Sequence, residues 1–165
     1  MARHRLERVQ FIPRPREEVF AFFSDARNLE RLTPEFLNFR ILTAGRIEMR
    51  PGALIDYELR LHGLPVRWRT RIERFEAPRT FVDVQLSGPY RLWHHTHEFL
   101  EVAGGTQMRD AVDYELPGGP IGEVVHELWV KKQLDRIFSY RWQAVESVFG
   151  PASTSSEHTE PCATS

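Results

Sequence analysis

From Ala53 to Leu116 the sequence runs in successive stretches of alternating side chains. Pro117-Gly118-Gly119-Pro120 ends them, and Ile121–Phe149 follows with no proline and only Gly122 near its start. Sequential strands on short turns pair as neighbours, and the sheet they make must bury its apolar face. The last segment reads as helix and is the only element long enough to lie across that sheet. In Ala53–Leu61, Ile55, Tyr57, Leu59 and Leu61 share one face, opposite Asp56, Glu58 and Arg60, the pattern of a half-buried antiparallel strand. Gly63 and Pro65 mark a turn into Val66–Phe75, where Val66, Trp68, Thr70 and Ile72 oppose Arg67, Arg69, Arg71 and Glu73. Ala77-Pro78, Ser87-Gly88-Pro89 and Gly104-Gly105 are the remaining turn signals. The last strand, Gln107–Leu116, sets Met108, Asp110, Val112 and Tyr114 together.

Upstream, Arg3–Ile12 leans toward a strand that Pro13 and Pro15 stop, and Pro15 suits the first turn of a helix over Arg16–Phe23. Ser24 and Asp25 are cap residues leading into a short helix, Ala26–Leu32, closed by Pro34. Phe39–Leu42 is a further short strand. The apolar stripe of the last segment changes phase. Ile121, Val124, Val125, Leu128 and Trp129 cluster on one side, and Val130, Leu134, Ile137, Phe138, Val145 and Val148 nearly opposite, with Lys131-Lys132 at the switch. This fits either two helical pieces or one helix that changes contacts. Gly150-Pro151 ends it, giving a domain over residues 1–150 and a polar, low-complexity tail, 151–165, expected to be disordered.

A net charge of −1, from 22 Lys and Arg against 23 Asp and Glu, gives no electrostatic reason for a nucleic-acid partner. The one cysteine, Cys162, lies in the tail, which excludes an internal disulfide or a cysteine metal cluster. No run approaches the ~20 apolar residues of a membrane span, and the N-terminus has no apolar signal core. The expectation is a soluble cytoplasmic protein.

Phe81–Phe99 carries the densest chemistry. Period-2 spacing puts Trp93, His95, His97 and Phe99 on one face, and Phe81, Asp83 and Gln85 on one face of the preceding strand. A core does not need Asp, Gln, Trp and two His so close together, whereas a pocket does. The alternative buries Val82, Val84 and Leu86 and leaves Asp83 and Gln85 facing water.

The order is strand, two short helices, a meander of about six strands and a closing helix, and it carries Ile12–Phe20, Leu32-Thr33-Pro34, the run from Phe81 through Gly88-Pro89 to Phe99, Gly104-Gly105-Thr106 with Asp110 and Tyr114, and Phe138–Arg141. In these residues the chain resembles the START/Bet v 1-like (SRPBCC) superfamily, in particular its polyketide cyclase/dehydrase-like branch. The resemblance implies an α+β helix-grip fold, a curved antiparallel sheet of about seven strands round a long C-terminal helix. It also implies a cavity between them for a hydrophobic small molecule. Tyr57, Trp68, Phe81, Trp93, Phe138 and Trp142 are expected as walls, with Asp83, Gln85, His95, His97, Asp110 and Arg141 as orienting groups.

Three functions are compatible with these residues. The first is a carrier of a cyclic or acyl-type ligand. The second is an aromatase/cyclase-like enzyme, in which His95, His97 and Asp110 are the catalytic candidates because imidazole titrates near neutral pH. The third is an interaction module using the Arg67–Arg71 face. Arg141 either binds a ligand carboxylate or phenolate with its forked donors or extends to the surface along its stem. The i,i+2 spacing of His95 and His97 occurs among metal ligands, with Asp110 as a third. No H-x-x-x-H helix and no cysteine supports it, and neither metal nor cofactor is expected.

Overall fold

The computed structural model describes residues 2–61, 63–125 and 129–150. The tail 151–165 with Cys162, and also His62, His126 and Leu128, lie outside the described residues. Strand β1, His4–Ile12, leads through Pro13-Arg14-Pro15 into helix α1, Arg16–Phe23. Pro15 has the extended φ/ψ of a residue that enters a helix without joining it. A 3₁₀ turn, Ala26–Asn28, follows, with the Asp25 carboxylate accepting from the Arg27 backbone N–H at 3.0 Å. Helix α2, Leu29–Leu32, and a second 3₁₀ turn, Glu35–Leu37, complete the connection.

The strands β2 (Arg40–Ile41), β3 (Leu54–Leu61), β4 (Leu64–Glu76), β5 (Thr80–Ser87), β6 (Leu92–Val102) and β7 (Gly105–Glu115) form one sheet with β1, in the order β1-β7-β6-β5-β4-β3-β2. Every neighbour is antiparallel. Register shifts between Arg69 and Thr70 and between Ile72 and Arg74 interrupt the β4–β5 ladder. Such irregularities bend a strand and increase its twist, and here they accompany the curvature that lets the sheet wrap. Helices α3 (Gly119–Val125) and α4 (Lys131–Phe149) follow, and α4 lies in the concave face. This is the helix-grip fold.

The core has an aromatic pole. Phe20, Phe23, Phe81 and Phe99 pack with Ile12, Met108 and the α4 residues Val145 and Phe149. Phe99 is 1 % exposed and meets Phe20 and Phe23 at 5.3 and 5.7 Å between ring centroids. At the other end of α4, Leu134 and Phe138 pack on Val112 and Tyr114. Each fully buried side chain of this kind contributes about 1.5–3 kcal/mol through apolar area removed from water.

Two sequence expectations need correcting. The strand over Phe39–Leu42 shrinks to Arg40–Ile41, which pairs only with β3 at the sheet edge. Pro65 belongs to β4 rather than to a turn, opposite Arg60. It is tolerated because β5 begins to pair further along, at Arg69↔Ser87, so β4 has a strand on one side only at this point. The two apolar stripes of the last segment are not equivalent. The one through Leu134, Phe138 and Val145 is buried, whereas Ile121, Val124 and Trp129 are 76, 59 and 59 % exposed. The change of phase thus separates a sheet-packing helix from Ile121, Val124 and Trp129, which turn outward.

Candidate functional site

Sheet and α4 do not close on one another completely. Between them lies a cavity of about 170 Å³. That is space for on the order of ten waters, below the ~300–1,000 Å³ of pockets for drug-sized ligands. The inward faces of β3 and β4 supply Tyr57 and Trp68, β5 supplies Phe81 and Asp83, β6 supplies Trp93, His95 and His97, and α4 supplies Phe138 and Arg141. Tyr57 stacks on Trp68 at 5.8 Å and 19°, and Trp93 meets Trp68 edge-on at 5.3 Å. The Tyr57 hydroxyl lies 3.2 Å from the Thr70 hydroxyl, and burial pushes its pKa well up, which keeps it neutral.

Three expected residues do not line the cavity. The Gln85 amide folds back on the turn, donating to the Tyr90 carbonyl at 2.5 Å and accepting from the Tyr90 N–H at 3.2 Å. Trp142 sits at the outer margin of α4, 36 % exposed, where its indole N–H donates to Glu146 and its carbonyl accepts from Gln10. Asp110 is buried one layer behind the two imidazoles. Tyr90, which does line the cavity against Trp93 at 4.8 Å, is absent from the expected set. It follows Gly88-Pro89, and a turn signal says nothing about where its side chains point.

The polar wall is set by strand register. Asp83 lies opposite His95, and His97 lies opposite both Phe81 and Asp110. The His97 ring stacks on Phe81 at 4.1 Å and stands 3.8 Å from the His95 ring. Its Nε2 is 2.8 Å from Asp83 Oδ2, and its Nδ1 is 2.8 Å from Asp110 Oδ1. His95 Nε2 is 3.2 Å from the same Asp110 oxygen. Arg141 does not extend to the surface. It turns inward over the Phe23 ring at 5.1 Å, with Nε 3.2 Å from Asp110 Oδ2. That Nε–H is not aligned for a hydrogen bond, so the contact is chiefly one of charge.

These contacts fix the ionisation of the wall. Burial raises both carboxyls, but the imidazoles and Arg141 outweigh it, so Asp83 is lowered and Asp110 is held well below the usual carboxylate range. Burial pulls both imidazoles down. For His97 the bonds to Asp110 and Asp83 prevail and its pKa is raised; for His95 burial prevails, with His97 adding to it, and its pKa is lowered. Two carboxylates and one guanidinium leave one net negative charge, which His97 cancels when protonated, while the lowered pKa of His95 favours its neutral form. A buried cluster of this kind persists when its charges are mutually compensated.

The Arg67–Arg71 stripe is outward-facing and compensated as well. Arg69 makes a two-point contact with Asp56 at 2.6 and 2.9 Å, Arg67 lies 3.8 Å from Glu58, and Arg71 lies 3.5 Å from Glu73. Among the described residues no helix is long and apolar enough to cross a membrane.

The fold and its cavity define a helix-grip protein, and comparison with known proteins gives the family. The sequence profile for polyketide cyclase/dehydrase and lipid transport matches residues 12–139, and the chain belongs to that family. Among solved structures it is similar to TTHA0849 from Thermus thermophilus, with 17 % identity over 88 % of this chain and 99 % of that one and a TM-score of 0.68. It is similar to the Zhui aromatase/cyclase from a Streptomyces species, with 15 % identity over 89 and 93 % of the two chains and a TM-score of 0.70. Protein CV1439 from Chromobacterium violaceum is 13 % identical over 90 and 99 %, with a TM-score of 0.68. Likeness at these identities establishes the fold alone. None of the proteins with curated functions matches.

Proposed function

We propose that this protein binds a hydrophobic small molecule, cyclic or acyl-type, in the cavity between the sheet and α4. The observation that carries this reading is the division of the cavity wall. Most of it is aromatic and aliphatic, while a single polar face of Asp83, His95, His97 and Arg141 stands on one side. An apolar enclosure drives burial of a ligand's skeleton, and a few convergent polar groups fix its orientation. The lipid-transport element in the family description is consistent with it.

Native mass spectrometry of detergent-free protein, with solvent extraction of anything that travels with it, tests the proposal. A reproducible co-purifying lipid, quinone or aromatic is expected in the wild type. It should be lost from Ile137→Trp, which fills the cavity from α4. A wild-type protein that neither co-purifies with an apolar molecule nor takes up an added apolar fluorophore overturns it.

A second reading, cyclisation of a reactive polyketone, is favoured by one observation: two imidazoles of different basicity face the cavity side by side. The enclosure would hold the chain folded for ring closure. Neutral His95 would take a proton from the carbon that becomes nucleophilic, and cationic His97 would protonate the oxygen that leaves as water. Turnover would then vanish in His95→Gln and in Asp110→Asn, whereas a carrier would only bind less tightly. The similarity to an aromatase/cyclase fits this reading. The Arg67–Arg71 stripe supports an interaction module less well, since its arginines are already matched by Asp56, Glu58 and Glu73.

A further inference from the structure

The polar wall contains a feature that a hydrogen-bond network leaves unresolved. His95 Nε2 lies against Asp110, which as a carboxylate only accepts, so the proton of neutral His95 belongs on Nε2. This leaves Nδ1 as a bare lone pair. The group it faces is Asp83 Oδ2, 3.7 Å away and beyond hydrogen-bond reach, and that oxygen is also an acceptor. His97 Nε2 converges on the same Asp83 oxygen at 2.8 Å, and a metal bound there takes the place of the proton that Nε2 otherwise directs at Asp83, releasing it to solvent. One carboxylate oxygen and one nitrogen from each of two imidazoles therefore gather with all three atoms within 4.8 Å of one another. Their residues are buried or nearly so and border the cavity.

We infer that Asp83, His95 and His97 form a binding site for a divalent first-row transition-metal ion of the zinc class, with its open position facing the cavity. Bonds of about 2.1 Å at tetrahedral to octahedral angles place ligand atoms about 3.0–3.4 Å apart, and the two separations to Asp83, 2.8 and 3.7 Å, bracket that span. The outer layer fits as well. A metal-bound histidine characteristically gives its other N–H to a carboxylate, which fixes the ring and raises its basicity. Here Asp110 Oδ1 accepts from His95 Nε2 at 3.2 Å, and the same oxygen stands 2.8 Å from His97 Nδ1 as a contact of charge, with Arg141 Nη2 3.4 Å from that nitrogen and Arg141 Nε 3.2 Å from Asp110 Oδ2. The donor set of two imidazoles and one carboxylate suits zinc, cobalt or iron in the divalent state rather than calcium or magnesium. An oxygen atom of a molecule in the cavity would occupy the remaining position. Sequence spacing suggested Asp110 as the third ligand; the register instead puts Asp83 in that place and Asp110 behind the rings.

Full-length, chelator-treated protein titrated with Co²⁺ alone tests the site, and hydrophobic ligand plays no part in the readout. Expected are saturation at one ion per chain, a visible d–d spectrum without a thiolate charge-transfer band, and displacement by Zn²⁺. Hyperfine-shifted NMR of the wild type should show an exchangeable imidazole N–H signal from the His95 ring, held on Asp110. Asp110→Asn should weaken affinity about 10–100-fold at unchanged stoichiometry, and Asp83→Asn should abolish saturable binding while its far-ultraviolet circular dichroism stays native. Absence of saturable binding, undiminished binding in Asp83→Asn, a thiolate band pointing to Cys162, or no shifted imidazole N–H signals would each overturn the assignment.

Discussion

Asp110 and His97 face each other directly across β7 and β6, and the register that pairs them brings Oδ1 of one to 2.8 Å from Nδ1 of the other. The same carboxylate stands against Arg141, so it is the hub of the buried charge. Removing one partner of a buried ionic set typically costs about 3–5 kcal/mol, because the remaining charge stays desolvated. Asp110→Asn is expected to lower urea-unfolding stability by an amount of that order. Asp110→Asn combined with Arg141→Met should recover part of it. A loss in the double variant equal to the sum of the two single losses would show that the charges do not act as one set.

The wall also shapes stability against pH in the metal-free protein. His97 is raised in the folded state, so its contribution is complete below the unfolded value of about 6.5 and fades as pH rises through the folded one. His95 is lowered, so it costs stability as pH falls from about 6.5 through its folded value. Asp83 and Asp110 are lowered, and their contributions hold above about 3.9 and are lost in acid as pH falls through their folded values. Near neutrality the two imidazoles, with Asp83, Asp110 and Arg141 around them, thus act in opposite directions. His95→Gln should make the denaturation midpoint fall more steeply between about pH 6 and 8 than in the wild type. Parallel profiles would contradict this assignment.

Gly105 opens β7 where β1 passes close behind it. A Cβ there would stand 2.2 Å from the Ile12 carbonyl oxygen and 3.0 Å from Pro13 Cα, both backbone atoms that cannot rotate away. Gly105→Ala should destabilise by about 1–3 kcal/mol, the usual cost of forced overpacking. Thermal unfolding of the purified variant measures it, and an unchanged melting temperature would refute the close approach.

Phe99 has no polar role, and its cost on removal is a matter of packing alone. Phe99→Ala is expected to lose about 3–5 kcal/mol, whereas Leu100→Ala, its neighbour on the outer face and 52 % exposed, should change stability far less. Urea titration of the two variants checks the difference, and similar losses would place the core on the wrong face of β6.

Most of the sheet was legible because alternation is a direct image of a strand with one wet face. The inward set Tyr57, Leu59, Trp68, Thr70, Ile72, Trp93, His95 and His97 follows from it. The face of β5 was not, and the reason is physical: Phe81 and Val82 are both buried, at 4 and 6 % exposure, so the pattern has no contrast at its start. The pairing of His97 with Asp110 and of Asp83 with both imidazoles depends on register, which turns and bulges set and single-strand periodicity does not contain. Trp142 is one helical turn from Phe138, close enough in angle to pass for an inward residue, yet the margin of α4 along β1 places it outside the cavity. Strand parity sets Gln85 on the face of Phe81 and Asp83, but a local bond to the turn at Tyr90 claims its side chain.

The strand order has a consequence for how the chain is made. β1 and β2 are consecutive in sequence yet form opposite edges of the sheet, and Ile12 must wait for Thr106, and His4 for Tyr114, before β1 has a partner. A nascent chain emerging from its N-terminus can build the β3–β6 meander from local hairpins, while its first strand, with Phe11 and Ile12, stays unpaired until the last strand is complete. Sheet closure is then a late step that needs nearly the whole chain. A polypeptide cut short before β7 carries an orphan apolar strand that other chains can capture.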